Sequence, residues 1–405
     1  MSWPSIEFPK AIRKAKVGRE NQILSADIQP SGRFPVVDQG QAFIAGYSDA
    51  EKRVIRDDLP MVIFGDHTRC VKYVDFPFIL GADGTKVLKP KEDLFDPKFF
   101  YYALLSLDIP NRGYNRHFTV LKEKTVPLPE KDEQQKIAAV LGVVQRAIEQ
   151  QERLLQFTTD LKKALLHQLF TQGLRGEPQK QTEIGPVPES WELMPLGALA
   201  KIGNGSTPKR DNEDYWKGGT IPWLNSAKIH ERFISQADQF VTELAVKECH
   251  LPHVKPGSLL IAITGQGKTL GNSALVSFET CINQHLAYAH FTAPNVIPEF
   301  VLWFMQTRYE HLRSVSQAGG STKGALTCGY LKTYPVPVPS LGEQRAIADV
   351  FAALDQKEKV HERKHAAQND LFRTLLHQLM TAQVRVDHLD FPELQDSLKA
   401  FRSCS

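Results

Sequence analysis

One segment of this chain occurs twice, and the two copies align without a gap at a constant offset of 210 residues. The copies share Val-Pro-x-Pro at 126–129 and 336–339, Glu-Gln at 133–134 and 343–344, and Leu-Leu-His-Gln-Leu at 165–169 and 375–379. Several identical motifs at one constant offset, spread over about fifty positions, are hard to obtain by chance. The fold must therefore accommodate the same module twice.

Each copy carries the apolar periodicity of a long amphipathic helix. Apolar residues recur mostly three and four apart, for example at Ile137, Val144 and Ile148 in the first copy. This spacing predicts a helix of nearly forty residues, about 55–60 Å long, in each copy. The prolines before each helix predict an extended segment or an edge strand, and Gly173 predicts the end of the first helix. We expect the two helices to pair as a coiled coil, with two independent scaffold helices as the alternative.

The rest of the chain forms two longer regions that share landmarks but little identity. Phe34–Val37 corresponds to Ile221–Leu224, and the strand-like residues 61–64 correspond to 259–263. The offset between these landmarks drifts, which indicates loop insertions in two diverged domains of one plan. The predicted boundaries are 1–125 for the first domain, 126–176 for the first helix region, 177–189 for a linker, 190–335 for the second domain, 336–386 for the second helix region and 387–405 for a tail.

Composition excludes several classes of protein and favours few. The five cysteines are scattered without a C-x-x-C pair, which argues against a disulfide framework or a structural zinc site. The N-terminus lacks the order of a signal peptide, and no apolar run approaches the roughly 20 residues of a membrane span. We therefore expect a cytoplasmic protein without membrane contact. The net charge of +3 is too small to indicate nucleic-acid binding by itself.

The order of these motifs resembles the specificity subunit of a type I restriction–modification enzyme. The second domain contributes Lys201-Ile-Gly-Asn-Gly-Ser-Thr-Pro-Lys209 and Gly219-Thr-Ile-Pro-Trp223, and the first contributes Pro35-Val-Val-Asp-Gln-Gly-Gln41 and Phe64-Gly-Asp-His-Thr-Arg69. The Pro-x-Pro…Glu-Gln…Ile openings of both helices complete the pattern. Each motif is moderately specific, whereas their order, duplicated within one chain, is highly specific.

The resemblance implies an α+β fold in which two similar target-recognition domains are separated by a pair of long antiparallel helices. Each domain would read one half of a split, asymmetric site in double-stranded DNA. The helices would set the unread gap and dock methyltransferase subunits, expected in two copies, together with restriction (translocase) subunits. The chain itself would be a non-catalytic recognition subunit that needs no cofactor.

Candidate DNA-contacting residues lie in polar, glycine-containing loops. Arg and Lys suit guanine edges and phosphates, whereas Asn and Gln suit adenine edges. The candidates in the first domain are Gln39, Gln41, His67, Arg69, Arg112, Asn115 and Arg116. Those in the second domain are Ser206, Thr207, Lys209, Arg210, Asn225, Lys228, Gln266, Lys268 and Lys323. The neighbouring Tyr215 and Trp216 could contact DNA or act as buried anchors.

Three other features of the sequence bear on this interpretation. Ala262-Ile-Thr-Gly-Gln-Gly-Lys-Thr269 nearly spells a phosphate-binding loop, but Ala262 replaces the first glycine and a poor helix opening follows. The duplicated His167 and His377 have no ligand-spaced partner in both copies, so we expect no metal site. We find no methyltransferase or nucleotide-hydrolysis motif. The alternatives to a DNA-recognition subunit are a stand-alone DNA-modifying enzyme and a coiled-coil adaptor without DNA contact.

Overall fold

The computed structural model describes residues 2–111, 113, 115–265, 268–318 and 325–386. The chain divides into two compact units, with residues 1–153 and 362–405 in unit 1 and residues 154–361 in unit 2. The domain boundaries predicted from the sequence remain predictions. The mixture of helix and sheet agrees with the expected fold class.

Unit 1 contains short strands, short helices and the first part of a long helix. Its strands are β1 (Ser5–Glu7), β2 (Ile12–Arg13), β3 (Gln22–Ile23), β4 (Phe34–Val37), β5 (Gly46–Ser48), β6 (Met61–Gly65), β7 (Val71–Val74), β8 (Ile79–Gly81), β9 (Thr85–Pro90) and β10 (Thr125–Pro127). Its helices are α1 (Phe8–Ala11), α2 (Pro97–Leu105), α3 (Phe118–Lys122) and the beginning of α4 (Lys131–Gln172).

Unit 2 contains the end of α4, the beginning of a second long helix, and the elements between them. Its strands are β11 (Gln179–Thr182), β12 (Gly185–Pro188), β13 (Glu192–Pro195), β14 (Ala200–Asn204), β15 (Ile221–Leu224), β16 (Phe233–Ile234), β17 (Gln239–Val241), β18 (Leu259–Ala262), β19 (Ser273–Val276), β20 (Cys281–Ile282), β21 (Leu286–Phe291) and β22 (Pro335–Val338). Its helices are α5 (Leu196–Leu199), α6 (Glu243–Glu248), α7 (Pro298–Thr307), α8 (Tyr309–Ala318), α9 (Cys328–Thr333) and the beginning of α10 (Leu341–Met380), whose end belongs to unit 1.

The sheets of the two units follow one plan. The order β2-β9-β6-β7 in unit 1 corresponds to β14-β21-β18-β19 in unit 2. In the second sheet, β4 pairs antiparallel with β5 and parallel with β8, as β15 pairs antiparallel with β17 and parallel with β20. The predicted correspondence of residues 34–37 with 221–224, and of 61–64 with 259–263, is therefore confirmed.

The long helices have the predicted length and opening. They contain 42 and 40 residues, or about 60 Å each. Glycine at position 142 does not interrupt the first helix, because the preceding turn, with Ile137 and Leu141, packs into the core of unit 1. The proline-containing openings are strands, as expected: β10 pairs with β1 and β22 pairs with β13. Gly173 ends α4 with φ +65°.

In each unit the beginning of one long helix lies antiparallel to the end of the other. In unit 1, Ile137 and Leu141 of α4 share a core with Leu379 of α10. In unit 2, the rings of Phe170 and Phe351 stack with their centroids 6.4 Å apart and their planes 13° apart. The expected antiparallel pairing is therefore present within each unit.

The repeated glutamate holds the chain just beyond the end of the opposing helix. Glu133 accepts a hydrogen bond from the backbone N–H of Val386 at 3.0 Å. Glu343 accepts one from Leu174 at 3.1 Å and one from the indole of Trp191 at 3.3 Å. The same residue thus binds a backbone N–H of the segment that follows each long helix.

The repeated glutamine attaches each sheet domain to the opening of its own helix. Gln134 is fully buried, donates to Leu94 O and Pro129 O at 2.9 Å each, and accepts from Asp96 N–H at 2.8 Å. Gln344, also fully buried, makes the equivalent three bonds to Asn295 O, Pro339 O and Ile297 N–H. In each Glu-Gln pair, therefore, the glutamate binds the chain after the opposing helix and the glutamine binds the sheet domain.

Buried charges stabilise both units. In unit 1, Lys89 is 1% exposed and contacts Asp58 and Glu92, and Asp58 also pairs with Arg13. In unit 2, Asp355 pairs with Lys162 of α4 and with Arg232 from the loop before β16. The network of unit 1 lies within its sheet domain, whereas that of unit 2 connects its sheet domain to both long helices. In either network, removal of one partner would leave an uncompensated buried charge.

The segment 177–189, predicted as a linker, contains regular secondary structure. β11 and β12 form an antiparallel hairpin within it. The turn is closed by Thr182 Oγ1, which donates to Gly185 O at 2.6 Å, and Gly185 adopts φ +97°. Val187 is buried, so the hairpin is packed onto unit 2.

Candidate nucleic-acid interface

Four loops that are distant in sequence meet at one end of unit 1. Gln39 Oε1 accepts a hydrogen bond from His67 N–H at 3.1 Å, which connects the loops after β4 and β6. Asp66 N–H donates to Gly84 O at 2.8 Å, and His117 N–H donates to Asp66 O at 2.8 Å. The loop between β8 and β9 and the segment before α3 therefore join the same surface. Most of the predicted contact residues of the first domain lie on it.

A buried lysine of strand β7 holds the loop after β4. Lys72 is 4% exposed, and its ammonium donates to Asp38 O at 2.9 Å and to Ala42 O at 2.5 Å. Burial lowers the pKa of Lys72, while the carboxylate of Asp38, 3.5 Å away, opposes that shift. The loop 38–42 is thus fixed at both ends by one cation. Sequence reasoning missed Lys72, although a lysine at an inward position of the alternating strand β7 was a signal.

The predicted residues of the first domain fall into two groups. Gln39, His67 and Arg69 position the loops: Arg69 donates to Ile109 O at 2.9 Å and has φ +63°. The exposed residues are Gln41, Asn115 and Arg116. Arg112 lies outside the described residues. The exposed group is better placed to meet a ligand than the group that holds loops together.

The equivalent loops of unit 2 also converge. Ser206 N–H donates to Ile282 O at 3.1 Å, and Thr207 hydrogen-bonds the side chain of Gln284. Thr264, after β18, hydrogen-bonds His285 and forms a bridge with Ala325. A Cβ atom at position 205 would lie 1.8 Å from Ile282 O, so the glycine there is required by close backbone approach.

An arginine–tryptophan cluster forms the edge of this surface. The guanidinium of Arg210 lies 4.0 Å from the ring centroid of Trp216 and 5.0 Å from that of Trp223, and it donates to Gln239 at 2.8 Å. The Trp216 indole donates to Lys209 O at 3.0 Å. Trp216 packs edge-on against the buried Trp223, so it anchors the loop. Arg210 is held against the protein and presents its outer edge.

Two further candidates in unit 2 mainly make internal contacts. Asn225 accepts from Ala227 N–H at 2.9 Å and thereby caps a short helical turn. Lys228 pairs with Glu231 at 2.6 Å and with Asp238 at 3.1 Å, and these carboxylates raise its pKa. Because its charge is compensated, Lys228 is a weaker candidate for phosphate contact than an unpaired lysine.

Among the described lysine candidates of unit 2, Lys209 and Lys268 are exposed, and neither makes an ion pair with another described residue. Tyr309 OH donates to Lys268 O at 2.8 Å and so positions that loop. Arg313 in turn donates to Tyr309 OH at 3.1 Å. Gln266 and Lys323 lie outside the described residues. Tyr309 and Arg313 were not predicted, because helical spacing gave no indication that α8 borders the loop.

The near-phosphate-binding loop begins at the last residue of β18. The near-phosphate-binding loop leads into strand β19 rather than into a helix, so it lacks the helix N-terminus that would hold phosphates. Within the described residues, no group of three or more His, Cys, Asp or Glu side chains is placed to hold a metal. In the same part of the chain, no helix is both long and apolar enough to cross a membrane.

Comparison with known proteins identifies the family. The family described as "Type I restriction modification DNA specificity domain" matches residues 21–156 and 188–367. The chain belongs to this family. The two matches each contain one of the converging loop surfaces described above. This confirms the resemblance drawn from the motifs, and with it the assignment as a DNA-recognition subunit rather than an enzyme.

Individual relatives agree with this assignment. The chain is 23% identical over 341 residues to the EcoR124I/EcoR124II specificity subunit of Escherichia coli, covering 82% of each protein. It is 31% identical over 193 residues to the MjaIX specificity subunit of Methanocaldococcus jannaschii, covering 46% of this chain and 43% of that one. The fold is similar to that of the type I restriction-modification system S subunit from M. genitalium, with a TM-score of 0.61 at 19% identity, covering 93% of this chain and 96% of that one.

Proposed function

We propose that this specificity subunit reads a split, asymmetric site in double-stranded DNA, one half with each loop surface. The carrying observation is that the two units present equivalent loops on one strand plan with different residues in them. Asp38 follows β4 where Asn225 follows β15, and His67 is the second residue after β6 where Thr264 is the second residue after β18. Because readout depends on donors and acceptors, unlike loops favour unlike half-sites.

Within these surfaces, we propose that the exposed candidates contact DNA and that the partly buried candidates hold the loops. The exposed set is Gln41, Asn115, Arg116, Lys209, Arg210 and Lys268. The side-chain amides of Gln41 and Asn115 suit an adenine edge, and the cations suit phosphate or guanine. The other candidates named from the sequence support these loops, and Arg112, Gln266 and Lys323 remain candidates.

We further propose that the chain acts in the cytoplasm with two methyltransferase subunits and with restriction subunits. The doubled helix supports the number two, since each copy offers the same residues to a partner. The length of the helices would set the unread gap in the DNA site. Partner docking and gap measurement can be tested separately from DNA reading.

The central experiment is methylation mapping after co-expression with the cognate methyltransferase subunit. We expect modified adenines in one split motif with two unlike halves. Lys209→Ala with Lys268→Ala should weaken modification, while Lys217→Ala serves as a control at an exposed lysine in the same unit. An unchanged methylation map would refute the function, and a motif with two identical halves would refute the asymmetry.

The gap proposal has its own test. Insertion of seven residues after Arg153 and after His361 would add about 10.5 Å to both helices and keep their apolar phase. At about 3.4 Å per base pair, the unread spacer should grow by about three base pairs. A functional variant that modifies the original spacer would contradict the role of the helices in measuring the gap.

A further inference from the structure

Two exposed side chains in the loop between β20 and β21 belong to a row of polar groups on the loop surface of unit 2. The hydroxyl of Thr207, in the loop after β14, hydrogen-bonds Oε1 of Gln284. The amide nitrogen of Gln284 lies 3.3 Å from Nε2 of His285, and Nδ1 of His285 hydrogen-bonds Oγ1 of Thr264. Gln284 and His285 are exposed, whereas Thr207 and Thr264 are half-buried. The row therefore connects three loops.

The chemistry of these four groups fixes the direction of each hydrogen bond. The amide nitrogen of Gln284 can only donate, so Nε2 of His285 accepts. In the neutral imidazole the proton is then on Nδ1, which donates to Thr264. The carbonyl oxygen of Gln284 can only accept, so the hydroxyl of Thr207 donates to it. The amide of Gln284 is therefore held at its oxygen and at its nitrogen.

Part of the hydrogen-bonding capacity of this amide remains for a ligand. A side-chain amide has two N–H groups and two oxygen lone pairs, and the row uses one of each. One N–H and one lone pair remain on an exposed planar group. In the major groove, adenine offers an acceptor at N7 beside a donor at N6, which is the complement of a glutamine amide. Guanine offers two acceptors there, so it cannot engage both groups.

The backbone that carries Gln284 is fixed as well. Asn283 is 4% exposed, and its Oδ1 accepts from the N–H of His285 at 3.1 Å. The N–H of Asn283 donates to Leu224 O at 3.0 Å, and Leu286 is buried in the core of the sheet domain. A side chain that is ordered before it meets its ligand loses little conformational entropy on binding. The loop thus presents Gln284 in a form that favours tight and selective contact.

Unit 1 differs from unit 2 at the corresponding place. The loop between β8 and β9 ends in Gly84 where the loop between β20 and β21 ends in His285. A Cβ atom at position 84 would lie 2.5 Å from the amide of Gln39, which comes from the loop after β4. That amide is half-buried and accepts from the N–H of His67. Unit 1 therefore uses a glutamine here for an internal contact, whereas unit 2 exposes one.

We propose that Gln284 reads an adenine in the half-site of unit 2, and that Thr207 and His285 are positioning residues for its amide. This inference rests on the proposed function, because it assigns one base of the DNA site to one side chain. The adenine is a base that the complex recognises, distinct from the adenine that the methyltransferase subunit modifies.

Methylation mapping tests the assignment in the full chain co-expressed with its methyltransferase subunit. Gln284→Met keeps the length and the neutral charge of the side chain but removes the groups that would read the base. One position of one half-site should lose its preference for adenine by about tenfold, as expected for a bidentate contact, and the other half-site should stay unchanged. Gln284→Glu should move the preference at that position toward cytosine, because a carboxylate accepts from the cytosine amino group.

Gln179→Met and Gln179→Glu are the matched controls, because they alter an exposed glutamine of the β11–β12 hairpin in the same unit. Both should leave the motif unchanged. A Gln284→Met map equal to that of the native chain, or an equal loss of modification at all sites, would overturn the inference. A native split motif whose only adenines, in either strand, are the modified ones would overturn it and leave the proposed function intact. Absence of any split motif for the native chain would refute both.

Two substitutions at Thr207 separate positioning from folding. Thr207→Val removes the hydroxyl that holds the amide, so the preference for adenine should fall severalfold at the position that Gln284→Met relaxes. Thr207→Ser keeps the hydroxyl and should retain the preference. His285→Ala should act as Thr207→Val does. Equal maps for the valine and serine variants would contradict the positioning role.

Fluorescence anisotropy with synthetic duplexes tests the contact at single atoms. Deazaadenine, in which C–H replaces the N7 acceptor, is placed at the position that mapping identifies. This change should weaken binding by the native complex about fivefold, as expected for one hydrogen bond, and should hardly affect the Gln284→Met complex. An equal loss in both complexes would overturn the assignment of Gln284 to this base.

Discussion

Replacement of Gln344 by leucine should destabilise unit 2 far more than a usual surface substitution. The side chain is fully buried and makes three hydrogen bonds, at 2.8 Å from Ile297 N–H, 2.9 Å to Asn295 O and 2.8 Å to Pro339 O. Gln344→Leu keeps the approximate volume but leaves a buried donor and two carbonyls without these partners. At roughly 1–3 kcal/mol for each unsatisfied group, partly relieved by relaxation, the expected loss is about 3–5 kcal/mol.

Urea unfolding followed by tryptophan fluorescence measures this loss. Trp191, Trp216, Trp223 and Trp303 belong to unit 2, so the signal reports mainly on that unit. With a slope of roughly 3 kcal/mol per molar urea, the midpoint should fall by about 1–1.7 M.

The control is Gln356→Leu at an exposed position of the same helix, which should change the midpoint little. Gln344→Glu should not restore stability, because its carboxylate keeps the acceptor but faces two carbonyl oxygens. Equal shifts for Gln344→Leu and Gln356→Leu would refute the attachment of the sheet domain by this glutamine.

Three further predictions concern charge. Lys209→Ala with Lys268→Ala should reduce the slope of log affinity for DNA against log salt by about two, measured by fluorescence anisotropy, and an unchanged slope would exclude phosphate contacts. The guanidinium of Arg13 holds the pKa of Asp58 below its usual range, so its stabilisation is present above a pH of about 4 and is lost as the pH falls through the lowered pKa. Asp58→Asn should therefore destabilise at pH 7 but much less near pH 2, as urea unfolding at both values will show. Asp355→Ala should cost about 3 kcal/mol, because it leaves buried positive charge uncompensated, and a midpoint equal to that of the native chain would contradict this.

The parts of the fold that depend on local pattern could be predicted from the sequence. Apolar periodicity gave both long helices, because one face of each must be buried along its length. The prolines at 127 and 337 indicated where each helix could not begin. The duplicated order of motifs gave the common plan of the sheet domains. In all these cases the information lies within a short stretch of chain.

The contacts that hold the candidate surfaces depend on residues far apart in the chain. Lys72 supports a loop about thirty residues earlier, which only the pairing of strands brings within reach. Gln39 and Arg210 were predicted as ligand contacts from residue type, yet their side chains also bond neighbouring loops. Sequence alone could place the polar loops, but it could not separate residues that face outward from those that fix the loops.

The attachment by the repeated glutamines uses only main-chain atoms of the sheet domains. Gln134 bonds Leu94 O and Asp96 N–H, and Gln344 bonds Asn295 O and Ile297 N–H, so four different residue types meet the same side chain. An attachment of this kind does not depend on which side chains the sheet domain carries at these positions. Any domain that brings a backbone turn of this shape to the helix could be joined there, and recombination between genes could exchange one specificity for another without redesign of the joint.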